Sequence, residues 1–134
     1  VMPVLARWYV RTSLFYLALG TLLGAIILWG KGAPIVGAWT LLAPHIALVT
    51  WGWLLLLTLG VAYWILPRWG QERRRVWLAV SAYVFLNAAL WLVGLAPWLN
   101  AAWPNAAGGV LQSLGCLAFA LHAWPRVRKS AYGR

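Results

Sequence analysis

Two histidines, one cysteine and one glutamate supply most of the metal-ligating and carboxylate chemistry open to this 134-residue chain. Glu72 is the sole acid and stands in a basic stretch beside Arg73. No carboxylate falls inside an apolar block, so a relay of buried acids for proton or cation transport is absent. There is no paired-carboxylate site, phosphate-binding glycine loop or Ser-His-Asp set. Hydrolysis and group transfer are left almost without residues, and the chain is not expected to be an enzyme by itself. Cys116 is single, which excludes an intrachain disulfide and a thiolate cluster, and within an apolar run it reads as a small hydrophobe. The histidines remain. His45 directly follows Pro44 at the start of an apolar block, where a helix N-terminus favours the neutral imidazole that ligates metals. The same position also suits an interfacial histidine with no ligand. His122 lies near the end of another block, beside Trp124 and a basic tail. There it can reach headgroup water and open helix carbonyls; the alternative is a pigment ligand, with Ala118 four residues before it.

The elements that position these side chains are membrane helices. Hydrophobic residues make up 64% of the chain and charged residues 9%, too little polar surface to cover a water-soluble globule. Four apolar blocks run over about 12–29, 41–66, 76–96 and 106–124, in one domain spanning 1–134. Each is long enough to cross ~30 Å of hydrocarbon as an α-helix, and none alternates in polarity as a barrel strand must. The expected fold class is an all-α, integral membrane four-helix unit. The first block follows Arg7 and Arg11 but is long for a signal-peptide core, so it is expected to be retained.

Orientation follows from the basic residues. Arg7 and Arg11, then Arg68, Arg73, Arg74 and Arg75, then Arg126, Arg128, Lys129 and Arg134 all fall on one side of a four-helix chain, and only Lys31 on the other. The positive-inside rule places both termini in the cytoplasm of a bacterial-type cell, with the chain in its inner membrane. The net charge of +10 is thereby an orientation signal and a contact with anionic lipid, and no nucleic-acid partner is expected. Trp8, Trp29, Trp39, Trp69, Trp77, Trp98, Trp103 and Trp124 lie at block ends, the depth an amphipathic indole favours. Trp51, Trp53, Trp64 and Trp91 lie deeper, where they can pack on neighbouring helices or on a flat cofactor. With antiparallel helices, His45 belongs near the outer edge and His122 near the inner one, roughly 20 Å apart at 1.5 Å per residue. The two cannot hold one metal within a single chain. Gly20 and Gly24, and Gly52 and Gly60, are spaced for close helix contact, and Asn87 at mid-depth is expected to bond across helices.

The second block carries a further signal. It reads Pro44-His45-Ile46-Ala47, then Trp51-Gly52-Trp53, and closes Gly60-Val61-Ala62-Tyr63-Trp64-Ile65-Leu66-Pro67-Arg68. This resembles the haem-ligating helix of the haem-copper oxidase (cytochrome c oxidase) subunit I superfamily, and most closely its small four-helix relatives. The family's first histidine falls on His45; its second falls on Ala47. The resemblance implies a unit like one four-helix arc of subunit I, assembling as a homotrimer or other homo-oligomer, or with subunits of a respiratory complex. It implies His45 as axial ligand of a haem b, shared between protomers, with Trp51, Trp53 and Tyr63 as candidates to pack on the haem. It implies no copper, because no matching histidine set is present. The function expected is a haem-binding membrane protein for electron transport. The alternatives are a cofactor-free accessory subunit, or a pigment-binding subunit using His122 or His45.

Overall fold

The computed structural model describes residues 1–33, 35–66, 75–99 and 101–127, and every element among them is helical. Four helices are long and apolar enough to cross a membrane: α1 (Val4–Gly32), α2 (Ala38–Ile65), α3 (Val76–Leu99) and α4 (Trp103–Arg126). A helix satisfies its own backbone, which is what hydrocarbon demands. The chain is thus a multi-pass membrane protein by length and composition. Trp69 and the basic residues at 68 and 73–74 and beyond 127 lie outside the described residues, as does Glu72.

The apolar windows understate α1 and α3. Helix α1 begins at Val4, directly after Pro3, and runs through Arg7 and Arg11, which stay exposed. Arginine is a good helix former and its long stem can follow an apolar surface while its head reaches water. Helix α3 continues through Pro97 to Leu99, since a proline in the last turn removes one bond without ending the helix. Helix α2 is not uniform. A 3-10 turn (Ala38–Leu41) leads into α-helix (Leu42–Ala47), then a π-helical stretch (Leu48–Leu55), then α-helix again (Leu56–Ile65).

Helices α1 and α2 lock by exchanging large and absent side chains. Gly20 and Gly24 of α1 receive Val49 and His45 of α2, while Gly52 and Gly60 of α2 receive Tyr16 and Tyr9 of α1. A Cβ at Gly60 would stand 2.6 Å from that of Tyr9. The glycines are accounted for by packing within one chain. The end holding the start of α1 and the end of α4 is called the near end below, and the opposite one the far end. Tyr63, Ala79, Ala82 and Phe119 are buried toward the near end; Tyr16, Leu48, Leu86 and Leu90 form a second cluster above them.

Between α1 and α3 runs a ladder of polar contacts. Tyr9 Oη donates to the Ala79 carbonyl at 2.8 Å, Thr12 and Tyr83 share a bond of 2.7 Å, and Tyr16 Oη donates to Asn87 Oδ1 at 2.6 Å. Asn87 Nδ2 in turn donates to the Tyr83 carbonyl at 2.7 Å. Asn87 therefore bonds across helices. Removing one such hydroxyl leaves an acceptor unmet in hydrocarbon. Tyr16→Phe is expected to destabilise the bundle by about 1 kcal/mol, read as a lower unfolding midpoint in detergent.

Candidate functional site

His45 sits in the short α-helical segment before the π stretch, packed against α1 at the far end. Its Nδ1 lies 2.7 Å from the Gly20 carbonyl oxygen. A carbonyl only accepts, so Nδ1 carries the proton and, in the neutral ring, Nε2 keeps its lone pair. No hydrogen bond engages Nε2 among the described residues. The ring lies where a Cβ on Gly24 would be, 2.8 Å from Cε1, so only glycine there admits the imidazole in this pose. An imidazole held by a carbonyl through one nitrogen while the other is available is the arrangement found at metal-ligating histidines.

The ring opens onto a groove of about 470 Å³ between α1 and α2, lined by Thr21, Gly24, Ala25, Ile27, Leu28 and Leu42. Thr21 turns its hydroxyl back onto the Leu17 and Ala18 carbonyls, so its methyl is left for the groove. The walls are apolar, and a flat hydrophobic group with a metal at its centre suits them. At the far end Lys31 Nζ lies 5.7 Å from the centre of the Trp39 ring.

The other sequence candidates do not join this site. Tyr63 lies eighteen residues along α2 from His45, roughly 25 Å away at the near end, and is 2% exposed. Neither Trp51 nor Trp53 lines the groove; Trp51 is 41% exposed on the outer surface. Trp8, Trp29, Trp39, Trp77, Trp98, Trp103 and Trp124 are exposed at helix ends. Trp91 stands edge-on to Tyr16, with ring centres 6.2 Å apart, and lines an apolar cleft between α1, α2 and α3.

His122 is not a residue that reaches headgroup water: it is 1% exposed. Arg126 Nη1 donates to its Nε2 at 2.8 Å, and since a guanidinium only donates, His122 is neutral with its proton on Nδ1. That proton is given to the Arg75 carbonyl at 3.1 Å. Arg126 Nη2 donates to the Leu66 carbonyl at 2.6 Å, and the guanidinium lies 5.7 Å from the centre of the Tyr63 ring. Tyr63 and His122 stack with centres 5.4 Å apart. Both nitrogens of His122 are committed, which leaves no lone pair for a pigment metal in this arrangement. The cluster instead ties together the end of α2, the start of α3 and the end of α4. Arg75, with φ 56°, takes the left-handed conformation, costing about 1–2 kcal/mol for a non-glycine residue. Its carbonyl is held by two bonds, from His122 and from the Leu78 amide.

No family model matches this chain, and neither a curated protein nor a solved structure matches it. The site is therefore judged on its own chemistry. Among the described residues, no three His, Cys, Asp or Glu side chains gather to hold a metal. Among the described residues the hydroxyls of the polar ladder do not hydrogen-bond in one continuous chain: Tyr9 donates to a backbone carbonyl, and Tyr16 bonds Asn87, whose amide goes to the Tyr83 carbonyl. Sequence reasoning singled out His45 but missed its carbonyl partner and its Gly24 cradle. The Gly20–Gly24 spacing was the available signal, and it was read as helix packing alone.

Proposed function

We propose that this protein is a haem-binding electron-transfer protein, or the haem-bearing membrane subunit of a respiratory complex, with His45 as an axial ligand of a haem b. The observation that carries this reading is the tautomer of His45: Nδ1–H is tied to Gly20 and Nε2 is left to ligate beside an apolar groove. The motif of α2, with His45 seven residues before Gly52, supports the likeness to one arc of oxidase subunit I. The excess of basic residues at the near end supports cytoplasmic termini in a bacterial-type inner membrane. His45 then lies toward the outer face. Equivalent histidines of neighbouring chains share one depth, so a homo-oligomer can supply two ligands to one haem.

Bound at His45, a haem supplies one-electron transfer. The chain's own residues do the rest. The Gly20 carbonyl fixes the imidazole and raises its basicity, Gly24 makes room for it, and Ile27, Leu28 and Leu42 exclude water and so influence the potential.

Adding haem to purified protein in mild detergent is expected to give saturable binding, and the dithionite-reduced minus oxidised spectrum is expected to be b-type. A protein that stays colourless with haem supplied is instead an accessory subunit, in which His45 serves to fasten α2 to α1. Far-red bands in protein taken from its native membrane identify a pigment-binding subunit.

A further inference from the structure

Helix α4 turns two different outer faces to its surroundings. Val110, Leu114, Leu117 and Leu121 form a large aliphatic face that lipid satisfies. Beside it lie Gly109, Gln112, Ser113, Cys116 and Ala120, which fall within an arc of about 100° at 100° per residue. A Cβ on Gly109 would meet nothing within 4 Å, and Ser113 and Ala120 are exposed. Gln112 is half-buried and is the tenth residue of the 21-residue helix Trp103–Ala123, which puts its carboxamide near the middle of the hydrocarbon. Among the described residues nothing hydrogen-bonds that amide, whereas Asn87 at similar depth is fully engaged. Ser113 is satisfied, donating back to the Gly109 carbonyl at 2.9 Å.

An amide left unpaired in hydrocarbon is costly, and lipid tails offer it neither donor nor acceptor. We infer that this face of α4 is an interface with a second copy of the same chain, held by a reciprocal Gln112–Gln112 hydrogen-bond pair. A carboxamide is both donor and acceptor and so complements itself across a two-fold axis. A second copy inserted in the same orientation carries its glutamine at the same depth. Gly109, Ser113 and Ala120 let the two helix backbones approach closely enough for the amides to meet. This surface is on α4, away from the α1–α2 groove, and the inference stands without haem.

The test is resonance energy transfer between donor- and acceptor-labelled chains in lipid vesicles without added haem, across a range of protein-to-lipid ratios. Wild type is expected to associate. Gln112→Leu is expected to weaken association about tenfold; Gln112→Asn, which keeps the amide, is expected to restore much of it. Leu121→Ala, farther round on the aliphatic face, is expected to leave association unchanged. Wild type that stays monomeric at every ratio overturns the inference, and so does a Gln112→Leu chain that associates as strongly as wild type.

Discussion

His45→Ala is expected to abolish the b-type difference spectrum completely while the far-ultraviolet circular dichroism remains that of a four-helix protein. The loss should be total because no second imidazole can substitute. His122 is at the opposite end of the bundle with both nitrogens engaged by Arg126 and Arg75. Removing the ring forfeits one hydrogen bond and its packing on Gly24, a cost of about 1–3 kcal/mol that the remaining interfaces should survive. His45→Gly with external imidazole separates ligation from packing: restored colour identifies the ring nitrogen as the missing element. A His45→Ala chain that still binds haem with wild-type affinity removes His45 from the site.

Arg126→Met is expected to have the largest effect on stability. The guanidinium donates to His122 Nε2 and to the Leu66 carbonyl and lies over Tyr63, all at a position 3% exposed. Methionine fills similar volume but leaves both acceptors unmet, at a cost of about 3 kcal/mol. Thermal or dodecyl-sulfate unfolding in mild detergent measures it. His122→Leu should cost less, and the double variant less than the sum of the two, since each single change strands a partner that the other removes. Additive losses would mean that the two side chains do not act as one unit. The haem spectrum of Arg126→Met, recorded at low temperature where the fold persists, should be unchanged.

The four spans were legible because hydrocarbon imposes one requirement, a long run of apolar residues, and the chain meets it four times. Helix ends were less so, since Arg7 and Arg11 lower the local hydropathy without disturbing helical geometry. His45 was legible as a candidate through its place after Pro44. Its hydrogen bond was not, because Gly20 is twenty-five residues away and the contact depends on how α1 and α2 register. Tyr63 was grouped with His45 by motif, yet a motif read along a helix spans the whole membrane, and the two residues end at opposite sides of it. His122 was expected to reach headgroup water as well as a carbonyl; it meets the Arg75 carbonyl but is buried, for a different reason. Its burial depends on Arg126, a residue that counts by charge as an orientation signal and proves to be a buried hydrogen-bond donor.

The π-helical stretch Leu48–Leu55 has a mechanical consequence for the site above it. Its wider turns replace the regular four-residue hydrogen-bond pattern, a departure frequent where helices do work. It divides α2 into two half-helices of different duty. The half below is riveted at its end by Arg126, through the Leu66 carbonyl. The half above carries His45 and leans on α1 through glycines. A small tilt of the upper half, such as a flat guest in the groove would demand, can be absorbed in the intervening turns without straining the clasp at the other end.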